Sequence, residues 1–410
     1  MTGYDIEDRL DWDRFATRYW GRRPVRYRAA VQGPTDMDTV YSAVLAACAP
    51  TPDGRIPSII QFTSGNRRRV DAAPWLPTAT DVDFAAYGAR ITDLLGGEAY
   101  ALTVNGVHIP SAALWDSQRR FFGELWKRVG LPRTSAITTL FHGNYAYTPV
   151  GVHKDRFATF MYVLSGRKRM RMWPKRPWDH DATTITDYRE HHDSSISIDA
   201  DAGDLVYWPS SYHHVGENLG EEPATSINVG FPWEGHRTIY DLTELLSTSY
   251  ADDLISHATA LGTSVPTWDG PWNVPFDQRS ARSTLASARR LAEGAIVGSS
   301  TRTRRITVAL ARHTAAGFWP TPRPLPVPTL TGAESVHGTA RPVVWSAVGG
   351  RTWYSAVGQV ASTALPGSEL DRLVAALRSD APARVAGLAP DAETREVLAR
   401  LVSWRAAILS

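Results

Sequence analysis

The chain has 410 residues, enough for two or three domains at roughly 150 residues each. Its 44 basic and 42 acidic side chains give a net charge of +2, which argues against a nucleic-acid backbone or an anionic membrane as main partner. A single cysteine excludes an internal disulfide framework and a cysteine-rich zinc site. The first residues lack the features of a signal peptide and no apolar run approaches the ~18 residues of a membrane span, so we expect a soluble, cytoplasmic protein.

Residues 1–130 are predicted to be mainly helical. Apolar side chains recur at helical spacing in the first of these segments, and glycine and proline follow it at residues 21–24. A short strand is expected next, and a segment rich in proline, glycine and threonine predicts loop and short strands at residues 50–80. The predicted helices span residues 11–19, 37–47, 81–95 and 112–129, and the short strand spans residues 25–28.

The pattern changes to strands between about residues 135 and 233. The runs are short, rich in β-branched and aromatic residues, and separated by Gly, Pro, Asp or Ser. Such a series predicts an antiparallel barrel or sandwich, for example a double-stranded β-helix. The predicted strands are residues 135–145, 156–164, 167–173, 195–198, 203–208 and 224–231.

The last third of the chain is predicted to be helical, then extended, then mixed. Helical patterns cover residues 237–262 and 276–317. Alternate prolines between residues 320 and 328 favour an extended, stiff linker. A β-hairpin and two helices should follow: strands at residues 343–348 and 353–357, and helices at residues 369–378 and 392–409.

Two histidines and one carboxylate form the most informative pattern. Residues 151–155 read Gly-Val-His-Lys-Asp, and residues 209–215 read Pro-Ser-Ser-Tyr-His-His-Val. Side chains alternate along a strand, so His153 and Asp155 should point the same way. Two histidines and a carboxylate can bind one face of an octahedral metal and leave three positions free, as in the non-haem Fe(II) facial triad. The third ligand must then come from another strand facing the same cavity.

A His-x-Asp match is weak evidence alone, because roughly one is expected by chance in a chain with 12 histidines. A second match, His191-His192-Asp193, lies in a polar segment between predicted strands, and we interpret it as solvated. The first match is followed by a strand, a Ser165-Gly166 turn and a return strand, which favours it.

The return strand places a lysine on its buried face. Arg167, Arg169 and Arg171 share one face, whereas Lys168 shares the other with two methionines. A buried lysine is costly unless it meets an anion, so we expect a ligand carboxylate there; the alternative is a lysine that extends past the methionines to water. The same parity turns Thr159 inward on the preceding strand, and the small polar face Ser226, Asn228 and Gly230 should line the cavity.

The sequence resembles the JmjC/cupin-type Fe(II)- and 2-oxoglutarate-dependent oxygenases. The resemblance rests on Gly-x-His-x-Asp, then Ser-Gly-x-Lys-Arg-x-x-x-x-Pro, then Gly-Asp-x-x-Tyr-x-Pro-x-x-Tyr-x-His. The segment Phe15-x-x-x-Tyr19-Trp20-x-x-Arg23-Pro24-Val25 also resembles the N-terminus of the ribosomal-oxygenase branch, so the resemblance covers about residues 15–25 and 135–233. It is closest to the ribosomal-oxygenase and asparaginyl-hydroxylase branches. It implies His153, Asp155 and His214 as metal ligands, the last chosen over His213 by its distance from the proline. It also implies Lys168 as the group that binds the distal carboxylate of 2-oxoglutarate, where the ribosomal branch usually has arginine.

From the motifs and the resemblance together we predict an α+β protein in four parts. Residues 1–235 form a JmjC/cupin oxygenase domain with a helical N-terminal extension. Residues 236–318 form a helical dimerisation domain, residues 319–333 a proline-rich linker, and residues 334–410 a winged-helix-like module. The helices at 237–262 and 276–317 predict a homodimer, because apolar stripes outside the barrel need a partner surface.

The predicted activity is hydroxylation of an amino-acid side chain in a peptide, a protein or an amino-acid-derived natural product, with Fe(II), 2-oxoglutarate and dioxygen. Thr159 and Asn228 are assigned to the cosubstrate with Lys168. Aromatic and basic residues near the ligands are assigned to the substrate, although each aromatic alone suits a core: Tyr147, Arg156, Trp208 and Tyr212, with Tyr207 beside them. Two alternatives stay open, a metal-binding cupin module without catalysis and an N-methyl demethylase. A nucleic-acid partner is disfavoured, since residues 392–409 carry balanced charges.

Overall fold

A computed structural model of the chain describes residues 3–28, 33–51, 53–65, 67–132, 135–232, 299–379 and 381–410. The protein is α+β, as predicted, and it divides into two compact units. The first unit comprises residues 1–234 and 316–323, and the second comprises residues 235–315 and 324–410. Within the described residues, none of the helices combines the length and apolar character that crossing a membrane requires.

Four helices of the first unit match the sequence prediction closely. Each begins after a side chain that accepts a hydrogen bond from the first helical turn, namely Asp11, Asp36, Asp83 and Ser111, which satisfies amide groups that have no partner inside the helix. The helices are α1 (Trp12–Arg18), α2 (Met37–Cys48), α3 (Phe84–Leu94) and α4 (Ala112–Val129).

Nine strands of the first unit form one sheet, in the order β1-β2-β11-β8-β13-β6-β5-β3-β4. Only the β1–β2 pair is parallel. Strands β1 and β5 are absent from the sequence prediction. The strands are β1 (Asp5–Glu7), β2 (Val25–Tyr27), β3 (Ile60–Ser64), β4 (Arg67–Arg68), β5 (Tyr100–Asn105), β6 (Ile137–Gly143), β8 (Phe157–Ser165), β11 (Leu205–Trp208) and β13 (Ala224–Pro232).

A second sheet of four strands lies in the order β10-β9-β12-β7. Its register pairs His214 with both His153 and Met172, and pairs Lys168 with Asn218. The sequence prediction missed β12, which carries His214, because its residues alternate too little in polarity. The strands are β7 (His153–Lys154), β9 (Arg167–Trp173), β10 (Ile196–Asp201) and β12 (His213–Asn218).

The two sheets of this unit share a core. Met161, Val163 and Trp208 of the nine-stranded sheet pack with Met170 and Met172 of the four-stranded sheet, and all five are buried. A second core lies on the other face of the nine-stranded sheet, where α2, α3 and α4 contribute buried apolar side chains. The nine-stranded sheet therefore carries buried apolar side chains on both faces, while the space between the sheets also holds the groups described below.

The second unit contains α5 (Ser299–Ala315), which is the described part of the helix predicted at residues 276–317. The predicted hairpin is confirmed, with a third strand added, and its turn residues Gly349 and Gly350 have the positive φ angles that glycine tolerates. The prediction for residues 237–262 lies outside the described residues. The remaining elements are β14 (Ser335–Gly338), β15 (Val343–Val348), β16 (Arg351–Ala356), β17 (Gln359–Thr363), α6 (Gly367–Leu377), β18 (Ala383–Arg384), α7 (Val385–Leu388), α8 (Ala392–Ser403) and β19 (Ala407–Leu409).

One helix boundary was wrong. The helix predicted to run to residue 409 ends at Ser403, and the chain turns at Arg405, which has a positive φ of 62°. The last residues instead form β19, whose backbone pairs with β14. Helical periodicity could not reveal this end, because the strand depends on a partner about 70 residues earlier.

Candidate metal and cosubstrate site

The three predicted metal ligands lie together at one end of the four-stranded sheet. The Nε2 atoms of His153 and His214 each lie 3.6 Å from a different carboxylate oxygen of Asp155. Candidate ligand atoms of the three side chains all lie within 4.8 Å of one another. Among the described residues this is the one group of histidine, cysteine and acidic side chains with that spacing. The β7–β12 register produces it, since His153 and His214 are direct partners in the ladder.

Both imidazoles are held with Nε2 toward the centre of the group. The Nδ1 of His153 donates to the carbonyl oxygen of Gly151 at 3.0 Å. The Nδ1 of His214 lies 3.4 Å from the carbonyl oxygen of Tyr212. A ring that donates from Nδ1 leaves the Nε2 lone pair free, which is the tautomer a metal ligand needs. The donor set and its orientation therefore fit a divalent metal of the facial-triad type.

The three side chains of the group shift one another's pKa values. Burial raises the pKa of Asp155, but the two neighbouring histidines outweigh it and hold the pKa below its usual value. Burial lowers the pKa of His153, yet the adjoining carboxylate raises it overall. His214 is buried, and this burial together with the nearby His153 lowers its pKa to about 4. An ionised carboxylate beside a neutral imidazole is the state in which these groups bind metal.

Gly151 lets a loop approach the strand that carries His153. Its φ is 73°, and a Cβ atom there would lie 2.2 Å from the carbonyl oxygen of Ile185. The neighbouring Val152 exchanges backbone hydrogen bonds with Ile185. The segment around Ile185 therefore fixes the backbone next to the first ligand, and a side chain at residue 151 would push it away.

Lys168 points into the cavity between the sheets, as its parity predicts, and is only 2% exposed. Its Nζ donates to the hydroxyl of Tyr145 at 2.7 Å and lies 4.7 Å from the centre of that ring. No carboxylate pairs with it among the described residues, and burial lowers its pKa to about 7. A buried amine with one neutral partner is costly, so this position suits an anion supplied from outside the chain.

The triad and Lys168 line one cavity of about 270 Å³. This is near the lower end of the range for small-molecule sites, roughly 300 Å³. Thr159, Ser226, Asn228 and Gly230 line it too, which agrees with the predicted inward parity of β8 and β13. The complete lining is Asn105, Ile137, Thr139, Phe141, Tyr145, Thr148, Val150, His153, Asp155, Phe157, Thr159, Met161, Lys168, Met170, Trp208, His214, Gly216, Ser226, Asn228 and Gly230.

Three polar atoms in this lining are buried without a hydrogen-bond partner among the described residues. They are the Oγ1 of Thr148, the Nε1 of Trp208 and the Oδ1 of Asn228. Buried polar atoms are almost always paired in folded proteins. Their grouping in one cavity therefore indicates a polar occupant.

Of the residues predicted to bind substrate, only some line the cavity. Trp208 lines the cavity and packs its ring 5.1 Å from that of His214. Three others are not part of the lining: Tyr147 packs on Tyr188, Arg156 is exposed, and Tyr212 packs against the core between the sheets. Tyr207 was placed wrongly near the mouth, since it is fully buried and its hydroxyl accepts a hydrogen bond from the amide of Gly21. Alternation along β11 turns it away from Trp208.

The other histidines lie apart from the triad. His213 faces the opposite side of β12 and packs 5.5 Å from Trp178, so the choice of His214 by spacing agrees with the geometry. His191 and His192 lie in a short 3₁₀ helix, Arg189–Ser194, and contact Glu190 and Tyr188 respectively. Neither belongs to the ligand group.

Sequence reasoning missed two features of the site. Tyr145, at the end of a predicted strand, is the partner of Lys168, a pairing that no local spacing signals. Arg171 shares the outward face of β9 as predicted, but it is buried there and pairs with Glu217 at 2.9 Å, while the Tyr188 hydroxyl donates to the same carboxylate. The segment at residues 174–195 covers this face, so "outward" on this sheet does not mean solvated.

Solved structures with a similar fold come from Escherichia coli YcfD. One matches with a TM-score of 0.52 at 15% identity and covers 98% of this chain and 99% of that chain. Another, described as a ribosomal oxygenase, matches with a TM-score of 0.50 at 16% identity and covers 98% of both chains. No protein-family model matches the sequence, and no curated protein matches it. The resemblance inferred from the motifs is thus confirmed at the level of the fold.

Proposed function

We propose that the protein is an Fe(II)- and 2-oxoglutarate-dependent oxygenase that hydroxylates an amino-acid side chain in a peptide, a protein or an amino-acid-derived product. One observation carries the proposal: a two-histidine, one-carboxylate group and a buried, carboxylate-free lysine line the same small cavity. A metal-binding module without catalysis has no use for that lysine. The fold similarity to YcfD, described as a ribosomal oxygenase, supports an oxygenase.

His153, Asp155 and His214 would hold the metal. Gly151 and Tyr212 keep the two imidazoles in the ligating orientation through their carbonyl oxygens. When bound, Fe(II) with 2-oxoglutarate and dioxygen supplies the oxidising power for C–H hydroxylation, and the cosubstrate leaves as succinate and carbon dioxide. The chain itself contributes position, charge and the exclusion of water.

Lys168 would hold the distal carboxylate of 2-oxoglutarate. Tyr145 fixes the direction of its ammonium group, and Thr159 lies buried on the facing strand and can donate to the same carboxylate. Asn228 and Thr148 offer unpartnered polar atoms in the same lining. A carboxylate that meets the lysine restores its charge and removes the cost of burying it, so this end of the cavity selects a diacid.

The finer architecture belongs to the same proposal. Two facing antiparallel sheets with a common core support a double-stranded β-helix for the oxygenase domain at residues 1–235. The helical dimerisation domain at 236–318, the linker at 319–333, the winged-helix-like module at 334–410, the homodimer and the cytoplasmic location remain predictions.

Succinate release tests the proposal. Purified protein with Fe(II), ascorbate, 2-oxoglutarate and a degenerate peptide library should form succinate, and mass spectrometry should show peptides that gain one oxygen atom. Loss of a methylene unit from methylated amines as the main product would establish the demethylase instead. Absence of metal-dependent succinate under all these conditions would contradict an oxygenase and leave the binding module.

A further inference from the structure

Three apolar side chains lie near the exposed end of the cavity. Ile137 and Val150 are 39% and 47% exposed and line the cavity with Phe157. The register pairs Ile137 with Gly230 on β13, Gly230 with Thr159, and Thr159 with Trp208. Trp208 contacts the ring of His214. Ile137 therefore belongs to the row of the nine-stranded sheet that reaches the metal ligands.

The adjacent row presents a neutral hydrogen-bond donor. Asn105 pairs with Thr139 across β5 and β6, and Thr139 pairs with Asn228 on β13. The Thr139 hydroxyl donates to the Oδ1 of Asn105 at 3.0 Å, which turns that amide so that its Nδ2 is left to donate elsewhere. In the described part of the chain no acceptor pairs with this Nδ2, and Asn105 lines the cavity.

The charges of the lining are already assigned. Among the described residues of the lining, Asp155 and Lys168 are the only Asp, Glu, Lys or Arg side chains, and the proposed function gives one to the metal and the other to the cosubstrate. The residues on either side of Asp155 are Lys154 and Arg156, both cationic and exposed. A cationic substrate group would therefore meet like charge at this edge and find no free carboxylate in the described part of the lining.

We propose that the group hydroxylated is an uncharged amino-acid side chain that carries an acceptor oxygen, such as an amide. Ile137, Val150 and Phe157 would contact its aliphatic part, and the Nδ2 of Asn105 would donate to its oxygen. This inference rests on the proposed function and names its substrate class. Burying an unpaired cation is far more costly than burying a neutral amide, which needs only the hydrogen bond that Asn105 offers.

A peptide library with each amino acid in turn at one central position tests the inference. With wild-type protein, peptides that gain oxygen should carry asparagine, glutamine or another uncharged residue with an acceptor oxygen there, and oxidation mainly at aliphatic residues would overturn the inference. Oxidation mainly at arginine, lysine, histidine, aspartate or glutamate would overturn the inference while leaving the oxygenase intact. Succinate formed with no oxidised peptide would overturn it as well, and absence of metal-dependent succinate would overturn both proposals.

A charge exchange at Asn105 tests the named contact. Asn105→Asp should raise kcat/KM for lysine and arginine peptides relative to glutamine peptides by about tenfold or more, since a hydrogen bond to a charged group is worth about 10–100-fold. Gln61→Glu is the matched control, because Gln61 is exposed on β3, beside β5, and does not line the cavity. Asn105→Leu should lower kcat/KM for amide peptides while aliphatic peptides change little. An unchanged preference in both Asn105 variants, with wild-type secondary structure, would remove the assignment.

Discussion

The two sheets that line the cavity contribute different chemistry. The four-stranded sheet and the residue that follows β7 supply the charged groups, His153, Asp155, His214 and Lys168, whereas the nine-stranded sheet supplies neutral polar and apolar ones such as Asn105. The charged groups suit the metal and cosubstrate, and the neutral ones face what remains of the cavity. The comparison teaches that, under the proposed function, the metal ligands and the lysine lie on one wall, whereas the nine-stranded sheet serves both the cosubstrate, through Thr159 and Asn228, and the substrate.

The largest expected effect comes from removing a ligand on the four-stranded sheet. Asp155→Ala or His214→Ala should abolish iron binding and succinate release, because two ligands cannot hold the metal against water. Calorimetric titration with iron and the succinate assay measure the two quantities. His213→Ala is the matched control, since its side chain faces Trp178 on the other side of β12. Iron binding retained in Asp155→Ala would show that the metal lies elsewhere.

The second-largest effect is expected on the KM for 2-oxoglutarate when Lys168 of the same sheet is replaced. Lys168→Met should raise the KM for 2-oxoglutarate by about 10–100-fold, the loss expected for a hydrogen bond to a charged group at ~1.5–3 kcal/mol. Lys168→Arg should retain part of the affinity, although its planar head is not equivalent. Arg167→Met, on the exposed face of β9, serves as control. An unchanged KM in Lys168→Met would end the assignment of this residue.

A pH-dependent effect follows from the low pKa of Lys168. Burial lowers that pKa to about 7, so the amine is largely neutral at about pH 8 until a carboxylate arrives and favours its protonated form. Binding of 2-oxoglutarate at this pH should therefore take up a proton. Calorimetry in two buffers of different ionisation enthalpy measures the uptake, which Lys168→Met should abolish.

The same shift sets the sign of a stability effect. Between about pH 7 and the ordinary value of 10.5, the unfolded chain binds the lysine proton more tightly than the cosubstrate-free folded chain does. This residue thus makes the free energy of unfolding rise with pH across that window. Chemical denaturation of wild type and Lys168→Met should differ in slope with pH, and parallel curves would contradict the burial of a titrating amine.

The smallest effect is expected on the outer face of the four-stranded sheet. Tyr188→Phe removes one of the hydrogen bonds to Glu217 but leaves its pair with Arg171, so the free energy of unfolding should fall by about 1 kcal/mol. The KM for 2-oxoglutarate should stay unchanged, because this face does not line the cavity. Denaturant unfolding and the succinate assay report the two results. A large rise in the KM for 2-oxoglutarate would show that packing on the outer face of this sheet controls the cosubstrate site.

The sequence by itself determined the elements of the site that depend on local spacing. His153 and Asp155 lie two residues apart at the end of one strand, and Lys168 alternates with methionines on another, so the period of a strand predicts where each points. The helices α1 to α4 were likewise predictable, because a capping side chain and an apolar stripe are local signals. The resemblance to a known oxygenase family then selected His214.

Only the tertiary structure decided which residues meet across the cavity. Tyr145 reaches Lys168, and Asn105 joins the row of Asn228, because the register of strands far apart in the chain places them there. The sequence could not predict two further features for the same reason. They are the burial of Arg171 beneath residues 174–195 and the strand at Ala407–Leu409. A strand's partner and its register are set by long-range backbone pairing, which leaves no mark at any fixed spacing in the sequence.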